Sequence, residues 1–215
     1  SLPEASPEMV GLSAKRLARI GEAMAREIGD GRIPGGVLAV ARRGRLAYCE
    51  AFGQRDAMSK TAMTVDAVFS IASMTKLMTS VAAMQLFEEG RIALADPIAT
   101  HLPQLAGLTV ADPSAGATLV IKPATRQPTV QDLLRHTSGM TYRERGPTPA
   151  HKLYPGSSIS AAVKMSRAEY LAAMAKAPLL FEPGSDWEYG FSTDVLGLLV
   201  EWVEADGGHA PEVLR

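Results

Sequence analysis

Hydrophobic spacing changes its period early in this chain, and the change fixes the fold class. Leu17, Ile20, Met24 and Ile28 recur at helical spacing behind Ser13, a residue suited to capping a helix, and Gly29 to Gly31 end the run. Pro34-Gly35-Gly36 then opens Val37 to Ala41, Arg43-Gly44 turns the chain, and Leu46 to Phe52 returns as an antiparallel partner. A helix followed by a hairpin predicts α+β: an antiparallel sheet flanked by helices, joined to a mostly helical region. Residues 1–70 read as the N-terminal part of the sheet domain and 71–215 as the helical region.

The remaining elements follow local signals. Asp96-Pro97 starts a short helix stopped by Pro103, and 107–128 reads as loop with one extended piece around Thr118 to Ile121. Thr129 to His136 is another short helix, whereas 141–160, rich in Pro, Gly, Ser and Arg, reads as an exposed loop. Ser166 and Glu169 form a capping-box pattern, and Thr193 to Glu204 carries Val195, Leu196, Leu199 and Val203 on one face.

Composition narrows the functions open to such a chain. Its 215 residues, 47% hydrophobic with mean hydropathy +0.04, suffice for one large domain or two small ones. With 22 basic against 23 acidic residues there is no electrostatic reason to expect nucleic acid or an anionic membrane as partner. Cys49 is single and reads as a half-buried apolar residue of a strand. His101, His151 and His209 lack metal-ligand spacing, and Gly29-Asp30-Gly31 lacks phosphate-binding spacing, so neither metal nor cofactor is expected. No apolar run reaches transmembrane length. A cytoplasmic location is expected, or a periplasmic or secreted one if a signal peptide was removed.

Ser73 and Lys76 stand one helical turn apart, where the apolar Val68 to Ala72, read as a short strand, meets a long helix. On a helix this spacing puts an amine beside a hydroxyl, and a serine needs such a base before it attacks an acyl group. Leu77, Val81, Met84 and Phe87 form a stripe that predicts an apolar interior around Lys76, where burial would depress its pKa. Taken alone, Ser-x-x-Lys is common and a helix cap accounts for Ser73 equally well. Placement at a helix N-terminus, where the dipole and backbone N–H groups favour an oxyanion, shifts the weight toward chemistry.

Four segments in order carry a resemblance: Ser73-Met-Thr-Lys76, Leu133-Leu-Arg-His136-Thr-Ser-Gly139, Phe181-Glu-Pro-Gly184, and Tyr189 followed by Asp194-Val-Leu-Gly197. Together they resemble the serine β-lactamase and penicillin-binding-protein superfamily, closest to its class C-like family VIII esterases. The resemblance implies a β-lactamase/transpeptidase-like fold and an acyl-enzyme mechanism, with Ser73 as nucleophile, Lys76 as its activating partner and Tyr189 as proton shuttle. A phenol serves as base near neutrality only if a close cation stabilises its phenolate. Without the motif, Tyr189 would read as a half-buried aromatic beside Trp187, and His136 reads as structural, bonding local backbone. Ser192 lies in a sequence superficially like a hydrolase elbow, but Asp194 stands where that elbow needs Gly.

Two departures from the family pattern bear on substrate. Phe191 occupies the position where the β-lactamase pattern places an amide-bonding Asn, which favours an ester. Phe191 and Ser192 are accordingly expected at the substrate. The family's third motif, a Lys-Thr-Gly or His-x-Gly strand supplying the second oxyanion N–H, does not follow Tyr189 within this sequence. A companion C-terminal polypeptide of the same protein is therefore expected to complete the sheet. The reading is a serine carboxylesterase acting on short-chain esters. A β-lactamase or D-amino-acid peptidase is the alternative within the same site, and a non-catalytic relative or inactive fragment is the alternative of another class.

Overall fold

The computed structural model describes residues 2–112, 118–157 and 164–205, and the chain divides into two compact units, 1–70 and 71–215. In the first unit, α1 (Ala14–Gly29) begins at Ser13, whose side chain accepts a hydrogen bond from the Arg16 N–H. β1 (Gly35–Arg42) and β2 (Arg45–Asp56) form the expected antiparallel hairpin, turned by Arg43 and Gly44, both with positive φ. A two-residue β3 (Thr61–Ala62) extends the sheet in the order β1-β2-β3. Helix α1 lies on the hairpin through Met24 and Ile28, close to Gly36 and Gly53. Cys49 is exposed rather than half-buried, because it alternates onto the face of β2 that α1 does not cover.

The second unit holds the large core. Leu86, Ile98, Leu102, Leu105, Leu133, Leu179 and Leu196 are each at most 1% exposed. They come from α2 (Thr75–Glu88), α3 (Ile98–His101), α4 (Val130–Arg135), the turn after α3, the segment after α6 (Arg167–Lys176), and α7 (Ser192–Glu204). Thr129 with Asp132, and Ser166 with Glu169, both close reciprocal capping boxes.

Three local expectations change. Residues 68–71 form no strand; among the described residues nothing pairs with them. The region 107–128 contains a second small sheet, β4 (Thr109–Ala111) with β5 (Ile121–Pro123), so the extended piece lies later than Thr118 and has a partner. The segment after 140 is only partly an exposed loop. Thr141, Tyr142 and Tyr154 are buried, and α5 (Pro149–Leu153) is capped by Thr148; residues 158–160 of that predicted loop, and His209, lie outside the described residues.

Helix α2 departs most from its pattern. Leu77, Val81 and Phe87 are 65%, 50% and 40% exposed, while Ala83 and Leu86 are the buried residues. Polar and apolar residues are spread nearly evenly around the helix, so periodicity could not single out a face. Contact with α7 decides it, as where the Thr79 methyl lies 3.6 Å from the Cβ position of Gly197.

Candidate active site

Ser73 sits in a 3-10 turn, Ala72–Met74, that leads directly into α2. The turn is made by Ala72 at φ 44°, a left-handed conformation unusual for a residue with a side chain. Ser73 is thereby set at the N-terminal mouth of α2, and Lys76 rises from its first turn.

Tyr189 arrives from a different direction. The Gly139 carbonyl accepts from Leu180 N–H at 2.9 Å, the Thr137 carbonyl from Gly184 N–H at 2.7 Å and the His136 carbonyl from Glu188 N–H at 3.0 Å. These bonds zip the His136-Thr-Ser-Gly139 segment to the strand-like run through Phe181-Glu-Pro-Gly184. Gly190 continues this close approach: a Cβ there would lie 2.4 Å from the Thr141 Cα, so no larger residue fits. Tyr189 is thus fixed by backbone on both sides.

The geometry joins three of the five residues singled out in the sequence. Tyr189 Oη lies 2.6 Å from Ser73 Oγ, and Lys76 Nζ lies 4.9 Å from the centroid of the Tyr189 ring. Burial would push the Tyr189 phenol up, but its bond with Ser73 and the Lys76 cation outweigh that and hold it below its ordinary value. The Lys76 prediction is reversed in sign. Burial does act to lower its pKa, yet Tyr189, Tyr142 and Asp194 together raise it. The pair therefore favours an ammonium at Lys76 beside the Tyr189 oxygen.

Phe191 and Ser192 are both 0% exposed, which overturns their expected place at the substrate. Phe191 packs edge-on against Tyr142 and Tyr170 and stacks on Tyr154. Ser192 Oγ lies 2.8 Å from Ser138 Oγ, tying α7 to the end of the α4 motif. Both start a helix whose apolar face turns them inward. His136 also differs from expectation. It sits at φ 57° as the cap of α4, with Nδ1 buried and unpartnered, and its ring packs 4.9 Å from that of Tyr189. Burial and the Lys76 charge hold its imidazole below the ordinary range.

Sequence reasoning passed over Tyr142 and Asp194. Tyr142 Oη accepts from Lys76 Nζ at 3.4 Å and donates to Asp194 Oδ2 at 3.3 Å. Asp194 was visible as part of a motif but carried no role. Arg145 was missed too: its guanidinium lies 5.9 Å from the Tyr189 ring and bonds Glu188 at 2.7 Å. Among the described residues no group of three or more His, Cys, Asp or Glu side chains is placed to hold a metal. Nor is any helix among them long and apolar enough to cross a membrane.

A serine at the mouth of α2, a lysine one turn on and a tyrosine brought from a later motif thus converge at one place in the second unit. The β-lactamase family matches residues 18–211, and the chain belongs to that family, within the serine β-lactamase and penicillin-binding-protein superfamily that includes esterases. Its fold is the β-lactamase/transpeptidase-like fold. Protein Rv1367c of Mycobacterium tuberculosis is 37% identical over 184 residues, 85% of this chain and 45% of that protein. Esterase EstB of Burkholderia gladioli is 33% identical over 199 residues, covering 91% of this chain and 47% of the esterase. The solved structure of EstCE1, described as a hydrolase with promiscuous acyltransferase activity, superposes with TM-score 0.72 at 30% identity over 88% of this chain and 47% of that one. The chain thus spans about half the length of the relatives it matches.

Proposed function

We propose that Ser73, Lys76 and Tyr189 form the acylating centre of a serine carboxylesterase acting on short-chain esters. The observation that carries this reading is the 2.6 Å approach of Tyr189 Oη to Ser73 Oγ with the Lys76 cation over the same ring. The Ser73 O–H bond breaks, its proton passes to the Tyr189 phenolate, and Oγ bonds the acyl carbon while the carbonyl electron pair moves onto oxygen. As that pair returns, the alkoxide leaves and takes the proton from Tyr189. Water then repeats the sequence, giving its proton to Tyr189 and releasing the acid from Ser73. The Ser73 backbone N–H, at the mouth of α2, is one donor to the oxyanion.

The ester preference now rests on relatives that bear the name esterase, since Phe191 faces the core. An alcohol in place of water would make the same acyl-enzyme a transferase, a second reading favoured by the promiscuous acyltransferase activity of EstCE1. A companion C-terminal polypeptide belongs to this proposal: Leu77 and Val81, exposed on α2 just beyond Ser73, offer it an apolar face. It would also supply the second oxyanion donor. A cytoplasmic location completes the reading and is checked by cell fractionation.

The decisive experiment labels the complete protein with a fluorophosphonate and follows p-nitrophenyl acetate hydrolysis. Labelling at Ser73 with loss of turnover in Ser73→Ala supports the proposal, and a Ser73→Ala protein that hydrolyses like wild type overturns it. Faster hydrolysis of nitrocefin than of short esters would replace the ester reading with the β-lactam one.

A further inference from the structure

Lys76 stands between two phenols whose oxygens face different groups. Tyr189 Oη meets the Ser73 hydroxyl at 2.6 Å, whereas Tyr142 Oη meets the Asp194 carboxylate at 3.3 Å and the Lys76 ammonium at 3.4 Å. If either phenol ionised beside that ammonium, only Tyr189 could pass a proton to and from the nucleophile. Something must decide between them. We propose that Asp194 is the positioning residue of the relay: its carboxylate keeps Tyr142 a neutral donor and Lys76 an ammonium, so that the phenol free to ionise is the one aimed at Ser73. This rests on the acyl-enzyme reading above.

The physical argument is charge placement. Asp194 lies in the first turn of α7, where the helix dipole favours an anion. A second negative charge on Tyr142, which is 8% exposed, would share a poorly hydrated space with the carboxylate. The contacts of Tyr142 Oη with Lys76 and Asp194 are long, at 3.4 and 3.3 Å, and Coulomb attraction couples the three groups across them. Tyr170, the third phenol near Asp194, is buried with its oxygen unpartnered, and burial followed by the Asp194 charge pushes it far above its ordinary value. Around Tyr189 the other charged or titratable groups are Arg145, which Glu188 neutralises, and His136, which burial and Lys76 keep neutral. Lys76 is therefore the cation that decides the charge of Tyr189, and Asp194 is the anion that sustains Lys76.

The chain has 5 tyrosines, which makes a direct reading practical. Tyr48 is raised by desolvation and by Glu50 beside it, and Tyr154 and Tyr170 are raised by burial. The test is an ultraviolet tyrosinate titration of the full chain in wild type, Tyr189→Phe, Tyr142→Phe, Asp194→Asn and Asp194→Glu, with circular dichroism to verify folding. The expected result is that the first tyrosinate step vanishes in Tyr189→Phe and survives in Tyr142→Phe. In Asp194→Asn it moves to lower pH, because removing a nearby anion makes a phenolate easier to form, and Asp194→Glu restores its position. The same substitution to Asn lowers the pH at which Lys76 loses its proton. Both limbs of the pH profile for fluorophosphonate labelling then shift acidward together, a change that a merely structural defect would not produce. A first step that belongs to Tyr142, or one that stays in place in Asp194→Asn, overturns the assignment. Absence of Ser73 labelling with the titration pattern intact would instead sink the acyl-enzyme reading and leave the charge assignment standing.

Discussion

Two charged networks in the second unit are built on opposite principles. Around Asp132 the contacts are short: Arg126 at 2.7 and 3.1 Å, the Thr129 N–H and hydroxyl at 2.9 Å each, and the Thr137 hydroxyl at 2.8 Å. Around Lys76 the contacts with Tyr142 and on to Asp194 stretch to 3.4 and 3.3 Å, while the short approach is between Tyr189 and Ser73. A saturated carboxylate is locked into one protonation state and one place. Around Lys76 the groups are coupled by charge across longer gaps, and the one short contact joins two hydroxyls. The first network clamps the end of α4, from which the His136-Thr-Ser-Gly139 segment reaches Tyr189; the second lies where that tyrosine meets Ser73 and Lys76.

The sharpest break of that comparison is at Ser73. Ser73→Ala should lower kcat for p-nitrophenyl acetate by about four to six orders of magnitude. Ser73 is exposed, so the melting temperature should hardly move, with stability within about 0.5 kcal/mol of wild type. A variant that unfolds would show that the open network was structural after all. Next comes Tyr189→Phe, which keeps the ring against His136 and removes the oxygen 2.6 Å from Ser73. A fall of about 10²- to 10⁴-fold in kcat with KM little changed is expected, measured at saturating ester.

The clamp should answer in the other currency, stability. Asp132→Ala removes the shared acceptor of Arg126, the Thr129 N–H and two threonine hydroxyls and should cost about 1–3 kcal/mol by urea unfolding. Burial raises the Asp132 pKa, but Arg126, the Thr129 N–H and the threonine hydroxyls lower it by more. A depressed carboxyl contributes stability that is complete above its unfolded pKa of about 3.9 and disappears as pH falls through the lower folded value. The gap between wild type and Asp132→Asn should therefore narrow in acid. A gap independent of pH would mean that packing rather than charge holds the clamp.

The legible part of this molecule is what local chemistry decides. Ser13, and Ser166 with Glu169, were readable as caps because capping is settled within four residues, and the hairpin was readable from its turn and alternation. Ser73, Lys76 and Tyr189 were singled out by motif and order, and the structure brings the three side chains together. What escaped was tertiary. Helix α2 spreads polar and apolar residues nearly evenly around its axis, so its buried face depended on where α7 lies, and the sign of the Lys76 shift depended on Tyr189, Tyr142 and Asp194 arriving from distant segments. Phe191 was misplaced for the same reason: its side relative to the site is set by three tyrosines that nothing in its neighbourhood announces.

Ala72 gives the smallest and most local test of how the open network is held. Its φ of 44° places a methyl-bearing residue in the left-handed region directly before the nucleophile, where a glycine would sit without the same steric cost. Strain of this kind costs on the order of 1 kcal/mol or more and persists where surrounding structure enforces it. Ala72→Gly should relieve it, offset in part by the greater freedom of glycine in the unfolded chain, leaving a net gain of at most about 1 kcal/mol in urea unfolding. The relieved turn should also hold Ser73 less firmly, and a few tenths of an ångström at Oγ matter when the approach to Tyr189 is 2.6 Å. Higher stability with lower kcat would mean that the strain fixes the serine; higher stability with unchanged kcat would assign that task to the Tyr189 side of the pair alone.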